Sequence, residues 1–411
     1  MKLVEWTSNS LRDGLPTPDL APFGRDSAEE VLAYHQSWPR YGATPLHSLD
    51  KLASRLGIRG ILVKDEAGRF GLNAFKGLGG TRGLGQFLTE YYGLTAPVSY
   101  EALRSRAGTR PPLVFATATD GNHGVGVSWA ARMLGHRARV YMPQGSAPSR
   151  VSAISAAGGE VTVTDSGYDE TVAQAADAAR REGLVLAQDT VWKGQVDMPR
   201  SIMQGYLTLW SEILAPADGN GLEPPTHVIL QAGVGSFAAA SVALLANLFA
   251  GRMPIIVLVE PTRAACFYRS AVTGSGGLCA VEGPLDTIMA GLACGVGNPL
   301  AWEILRHWVD VFVRVEDAVT ARGMRILGSP LPGDPPVVAG ESGAVGLGLL
   351  AAALDGPAAE DLRGGLRLDG ASRVLLVNTE GATDPVMYRR VVWDGYEPWT
   401  PEAGCRAPDS D

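Results

Sequence analysis

Cysteine and histidine are too few and too scattered to organise this chain. Its four cysteines (Cys266, Cys279, Cys294 and Cys405) show no C-x-x-C spacing, and its six histidines show no H-E-x-x-H pattern. A metal site is therefore not expected. A Cys266–Cys294 bridge stays open with no spacing to support it, since scattered thiols commonly act as small buried apolar residues. No G-x-S-x-G is present either, which leaves a nucleophile-elbow serine hydrolase without an anchor. Lys and Arg number 35 against 43 Asp and Glu, for a net charge of −8 and no long basic run. Neither nucleic acid nor anionic lipid is an expected partner. No apolar stretch is long enough to cross a bilayer, and the first residues, MKLVEWTSNS, hold no signal-peptide core. The cytoplasm is the expected address.

What is present is the balance of a globular enzyme: 411 residues, 46% hydrophobic and 19% charged, enough for two or three domain-sized units. Short β-branched runs alternate with Ala- and Leu-rich helical stretches. Between Pro112 and Gln188 the pattern predicts strands at 113–116, 138–142, 160–164 and 184–187, separated by helices over 122–134, 149–157 and 168–181. That βαβαβαβ order implies a parallel sheet with right-handed crossovers. A second series predicts strands at 227–231, 254–259, 311–314 and 373–377, with a helix over 237–249. The expected fold class is α/β, with two open twisted sheet domains carrying helices on both faces. The larger takes residues 1–90 and 220–395, the smaller 91–219, and 396–411 make a flexible tail. Gly328 to Gly340 reads as a surface loop.

One lysine is out of place. Lys76 closes Arg69-Phe70-Gly71-Leu72-Asn73-Ala74-Phe75-Lys76, followed by Gly77-Leu78-Gly79-Gly80, an apolar and glycine-crowded stretch. A partly desolvated amine gives up its proton more readily, and a neutral amine attacks carbonyls to form a Schiff base. The competing reading is a stem lying along a helix with its head in water.

Ligands of open α/β sheets bind where a strand's carboxyl end turns into a helix. Three segments have that position: Thr117-Ala118-Thr119-Asp120-Gly121-Asn122-His123-Gly124, Gln231-Ala232-Gly233-Val234-Gly235-Ser236, and Asn378-Thr379-Glu380-Gly381-Ala382-Thr383-Asp384. In the first, Asn122 is able to donate to a ring oxygen. In the second, successive N–H groups at a helix start suit a phosphate dianion. A nicotinamide reading competes, because Gly233, Gly235 and Ala238 follow a dinucleotide pattern and Glu260 is placed to serve a ribose. It leaves Lys76 and the first segment without a role. Taken alone, His123 is a packing residue at a helix start. Phosphate at one loop, ring at another and amine at a third together fit pyridoxal phosphate.

These residues carry a resemblance. With Lys64-Asp65-Glu66, Gln188-Asp189-Thr190, Met203-Gln204-Gly205-Tyr206, Met289-Ala290-Gly291-Leu292-Ala293-Cys294-Gly295 and Glu341-Ser342-Gly343, the chain resembles the diaminopropionate ammonia-lyases from about Tyr34 to Trp393. These are fold-type II pyridoxal-phosphate enzymes, related to threonine dehydratase and tryptophan synthase β. The dehydratase relatives carry a serine where Asp120 stands. An aspartate repels a substrate carboxylate but attracts a second ammonium, which diaminopropionate has.

The resemblance implies that Lys76 carries the cofactor and that the β-amine is eliminated to leave pyruvate and two ammonia. It implies Asp120 as the acid/base for the D isomer and Asp189 for the L isomer. Asn122 is then assigned to the ring oxygen, Gly233, Val234, Gly235 and Ser236 to the phosphate, and Thr379 or Glu341 to the ring nitrogen. Thr119, Asp120, His123, Tyr168 and Asp189 face the amino-acid substrate. Asp189 also reads as a helix cap, and Tyr168 as packing. The family implies a homodimer. The chain departs from its pattern at Trp192-Lys193-Gly194-Gln195, where Trp-Glu-Gly-Tyr is usual, at Met198 before Pro199, and at Ala67-Gly68 before Arg69, where a serine is usual. Were Lys193 and Gln195 at the site, substrate preference would move. The rivals are β-replacement or serine/threonine dehydration on the same scaffold, a nicotinamide oxidoreductase, and a binding protein that keeps the fold without catalysis.

Overall fold

The structure, a computed structural model, describes residues 2–12, 18–215, 223–354 and 359–399. Among them lie eleven strands: β1 (Val4–Ser8), β2 (Leu46–Ser48), β3 (Gly60–Asp65), β4 (Val114–Ala118), β5 (Arg137–Met142), β6 (Gly159–Val163), β7 (Val185–Leu186), β8 (His227–Gln231), β9 (Ile255–Pro261), β10 (Val311–Val315) and β11 (Arg373–Asn378). Seven form one sheet in the order β1-β10-β9-β8-β11-β3-β2, and four form another in the order β6-β5-β4-β7. The smaller sheet is parallel throughout. The larger is parallel except at its edges, where β1 and β2 run antiparallel to β10 and β3. A parallel neighbour is reached only across a crossover, so the strand–helix alternation dictates this arrangement.

Each strand read from the pattern recurs with ends shifted by at most two residues. The N-terminal strands β1, β2 and β3 did not announce themselves in the same way. They are short runs whose strand character depends on the sheet they join. From residue 400 the expected tail lies outside the described residues, as does Cys405. The Gly328–Gly340 stretch is a surface loop only in its first part. Asp334 is buried and accepts from the Lys51 and Leu52 backbone N–H groups at 2.8 Å each, while Val337 and Ala339 enter the core. No helix among the described residues is long and apolar enough to cross a membrane.

The larger sheet is covered on both faces, so its central strands are apolar on both sides. Val228, Leu230, Leu258 and Leu375 belong to one core, and Ile229, Val257, Val259 and Leu376 to the other, the strict period of two. The first core runs on into the smaller sheet through Val127, Trp129, Phe115 and Ala138. The helix Lys76–Tyr91 lies along this seam. A Cβ added at Gly126 would sit 2.6 Å from the Lys76 carbonyl oxygen, so only glycine lets the helix Asn122–Met133 pack against the start of the lysine helix.

Before Lys76 the chain is anchored by buried charge. Arg69 bonds Glu66 and, at 2.7 Å, Glu212, and Lys64 reaches Glu212 at 2.6 Å. Two cations face two carboxylates, so the network is neutral and hydrogen-bonded, the condition under which charge survives burial. Burial favours the protonated Glu212 carboxyl, but Arg69 and Lys64 overcome it and pull that group down to about 2.

Candidate active site

The segments that leave the carboxyl ends of β3, β4, β8 and β11 meet at one cleft. Phe75 N–H donates to the Thr379 carbonyl and Gly381 N–H to the Asn73 carbonyl, each at 3.0 Å, with Ala74 bridged to Glu380. Those bonds hold the segment entering the lysine helix beside the loop that follows β11. Lys76 is the first residue of its helix and lines the cleft.

Its amine donates to Asp189 Oδ2 at 2.8 Å. Burial works against the charge on Lys76, as the sequence led one to expect, yet the facing carboxylate wins and holds the amine above its ordinary range. Asp189 is likewise pushed up by burial, but Lys76 and then His123 bring it down to about 2. Asp189 caps no helix, because the next one begins at Asp197. Its carbonyl accepts from Ser236 Oγ at 2.7 Å and Asn298 Nδ2 at 3.3 Å, which fixes its place. His123 Nε2 lies 2.9 Å from the Ala187 carbonyl, so the ring proton is assigned there. Nδ1 then faces Asp189 from 3.9 Å with no hydrogen bond, and burial keeps the ring neutral.

The Gly233–Ser236 segment also lines the cleft. Among the described residues, the N–H groups of Gly233, Val234, Gly235 and Ser236 donate to no protein acceptor, although all four residues are buried. Four orphaned donors at the start of the helix Ser236–Leu248 fit a phosphate dianion. Gly235 has a φ of 85°, and a Cβ there would lie 2.5 Å from Phe267 Cζ. Asn122 Nδ2 donates to Glu380 Oε2, whose other oxygen accepts from Ser342 N–H at 3.0 Å. Thr379 lines the cleft, with its Oγ1 accepting from Gln231 Nε2 at 2.9 Å. Glu341 does not line it: both of its carboxylate oxygens are buried and unpartnered, and burial plus Glu380 push the carboxyl up to about 8.

Asp120, Thr119 and Tyr168 also line the cleft. Burial pushes the Asp120 carboxyl up to about 7, Arg150 opposes it, and Asp189 and Asp169 reinforce it. Thr119 Oγ1 accepts from Gly121 N–H at 3.0 Å and Gly124 N–H at 3.4 Å, so this hydroxyl shapes its own loop. Tyr168 opens the helix Tyr168–Glu182, and burial holds its hydroxyl protonated.

Lys193 and Gln195 are exposed and line no part of this cleft, so the departures from the family pattern lie away from it. Glu260, the acid required by the nicotinamide reading, is buried elsewhere and accepts from the Phe267 and Tyr268 N–H groups at 3.0 and 2.7 Å. Cys266 and Cys294 are free thiols. No group of metal-binding side chains occurs among the described residues. Sequence reasoning had assigned no role to Glu380, Arg150, Ser342 or Cys294, all of which line the cleft. Glu380 carried a signal, being a charged residue in a short loop after an apolar strand. Arg150 carried almost none, standing alone near a helix start.

Residues 38–380 match the family described as pyridoxal-phosphate dependent enzyme. The chain is 43% identical over 406 residues to diaminopropionate ammonia-lyase of Salmonella typhimurium, covering 96% of this chain and 99% of that protein. Against the same-named protein of Escherichia coli strain K12 the identity is 46% over 374 residues, 91% of this chain and 93% of the other. The crystal structure of the holo Escherichia coli enzyme superposes with a TM-score of 0.89 at 44% identity, covering 96% of this chain and 97% of that one. The cradle of orphaned N–H groups, the cleft lysine and these likenesses agree: the chain belongs to the pyridoxal-phosphate dependent enzymes and, within them, to the diaminopropionate ammonia-lyase family.

Proposed function

We propose that this chain eliminates ammonia from 2,3-diaminopropionate of either configuration, yielding pyruvate and two ammonia. The observation that carries the reading is the convergence of Lys76, Asp120 and Asp189 on one cleft beside the Gly233–Ser236 cradle. When bound there, pyridoxal phosphate supplies the electron sink that makes the α-proton removable. Lys76 carries the cofactor, and Gly233, Val234, Gly235 and Ser236 hold its phosphate. Asn122 serves the ring oxygen, and Thr379, rather than the more remote Glu341, the ring nitrogen.

Asp120 takes the α-proton of the D isomer and Asp189 that of the L isomer, with Lys76 also in reach. A carboxyl near 7 exchanges its proton readily at neutral pH, which suits Asp120 to that task. In its charged form it also attracts the β-ammonium, which no serine would do. Thr119, His123 and Tyr168 bound the substrate. The 2-aminoacrylate released then takes up one water, giving pyruvate and the second ammonia. A cytoplasmic homodimer, and a division into residues 1–90 with 220–395 and residues 91–219, complete the proposal. They are supported by the family resemblance and by the two separate sheets.

The test is a substrate panel with purified holoenzyme. Two ammonia per pyruvate are expected from both diaminopropionate isomers, and borohydride reduction should fix the cofactor to the peptide containing Lys76. Pyruvate from serine but not from diaminopropionate would replace this reading with dehydration. Label on another lysine would refute the assignment of Lys76. Light scattering checks the dimer.

A further inference from the structure

The segment Met203-Gln204-Gly205-Tyr206 has no part in the function proposed above, yet it ends beside the cleft lysine. Tyr206 stands between the helices Asp197–Gly205 and Leu207–Leu214. A Cβ on Gly205 would run into the Leu78 carbonyl, so glycine lets this segment back directly onto the lysine helix. Tyr206 is fully buried, its ring centre 4.8 Å from that of Phe75 and 6.1 Å from that of Phe237. Its hydroxyl has no hydrogen-bond partner among the described residues. An orphaned hydroxyl in the core is costly and calls for a reason.

A Cβ on Gly79, one turn after Lys76 on the same face of the helix, would sit 2.8 Å from Tyr206 Oη. The Lys76 amine lies 6.0 Å from the Tyr206 ring centre. It is charged in this structure and gives its hydrogen bond to Asp189 at 2.8 Å. An ammonium donates but has no lone pair with which to accept. Burial pushes the Tyr206 hydroxyl up to about 12, against the pull of the Lys76 charge. The hydroxyl therefore keeps a proton for which it has no acceptor.

That proton gains an acceptor once Lys76 changes state. In the function proposed above, the incoming substrate amine takes over the carbon–nitrogen double bond held by Lys76. The incoming nitrogen gives up two protons, and Lys76 leaves as a neutral amine with both of them and a free lone pair. Asp189 must then be free for the α-proton of the L isomer, and a carboxylate locked in an ion pair is a weak base. We propose that Tyr206 is a positioning residue for Lys76: its O–H donates to the displaced neutral amine and holds it off Asp189. The inference rests on Lys76 as the attachment point of the cofactor, and adds the group that receives the amine when it lets go.

Wild-type and Tyr206→Phe holoenzymes decide the matter by titration with D- and L-alanine, which offer an amine and no leaving group. Displacement of Lys76 is read from the visible absorbance of the cofactor at equilibrium. Phenylalanine fills the same space without the hydroxyl. Displacement by either alanine should become about tenfold weaker, the upper end for one hydrogen bond between neutral groups. The affinity of the cofactor-free proteins for pyridoxal phosphate should not change and their urea midpoints should not fall, since the hydroxyl has no partner in that state. Equal displacement in the two enzymes overturns the proposal, because the amine then returns to Asp189 alone. A parallel loss of cofactor affinity or stability, or a variant that does not fold, overturns it as well, since Tyr206 would then be a packing residue. Borohydride label on a lysine other than Lys76 would overturn the cofactor assignment and this inference with it. Label on Lys76 with unchanged displacement overturns this inference alone.

Discussion

Asp120→Asn should make the protein more stable and a poorer catalyst, with the stability gain depending on pH. Burial pushes this carboxyl from its usual 3.8 up to about 7. The folded chain therefore binds the proton more tightly than the unfolded chain does. Stability must fall as pH rises from about 4 to about 7, and then level off. Three pH units at ~1.4 kcal/mol each set an upper bound of about 4 kcal/mol. Asp120 is only partly buried by area, so water screens the effect, and about 2 kcal/mol is the expected cost of its charge. Asparagine has nothing to titrate. The variant should match wild type near pH 4, gain steadily to pH 7 and stay about 2 kcal/mol ahead beyond it. Urea unfolding midpoints of the cofactor-free proteins, taken across that range, measure the difference. In the holoenzyme the same substitution should cut turnover of the D isomer by about a hundredfold, the lower end for loss of a general base, and the L isomer less. A stability difference that is flat with pH, or absent at pH 8, would refute the view that charged Asp120 is the destabilised form. Equal losses on both isomers would refute its stereochemical role.

Gly235→Ala forces a side chain into a left-handed backbone and against the Phe267 ring, which should cost roughly 2–4 kcal/mol and loosen cofactor retention. Thermal melts and dialysis of the holoenzyme report the two effects. Glu212→Gln leaves Lys64 and Arg69 facing a neutral amide and should destabilise by about 3–5 kcal/mol. Because Glu212 is held at about 2, below its usual 4.5, the wild-type advantage is present above pH 4.5 and should vanish as pH falls through about 2. An unfolding series carried into acid checks that sign. Lys193→Glu combined with Gln195→Tyr restores the family pattern at two exposed positions away from the cleft, so kcat/KM should stay within about twofold. A larger change would mean that this surface reaches the substrate.

The parts of the site legible in the chain were those written locally. A lysine in a glycine-rich apolar stretch, and glycine, amide and hydroxyl groups just after apolar strands, are properties of neighbouring residues. The strand–helix alternation delivers those segments to one end of a sheet, and Lys76, Asn122, Gly233 to Ser236 and Thr379 accordingly line one cleft. The choice between Thr379 and Glu341 was not local. Both were offered through the family resemblance, yet only Thr379 reaches the cleft wall, where Glu380 stands beside it. The concern over Lys193 and Gln195 could not be judged either, because one turn of backbone decides whether they face the substrate or solvent.

Proton affinities depended wholly on packing. Burial of Lys76 was foreseeable and would lower its hold on a proton, but Asp189, 113 residues away, reverses that outcome from 2.8 Å. The neutral tautomer of His123 is set by the carbonyl of Ala187, and the poise of Asp120 by its surroundings and by Arg150. Amino-acid order was enough to specify the α/β layers, the lysine and the three loops, since periodicity and backbone freedom act between residues close in the chain. Which charges meet, which lose water and which stay unpaired rests on Coulomb forces and desolvation, which fall off over a few ångströms of space and take no account of separation along the polypeptide.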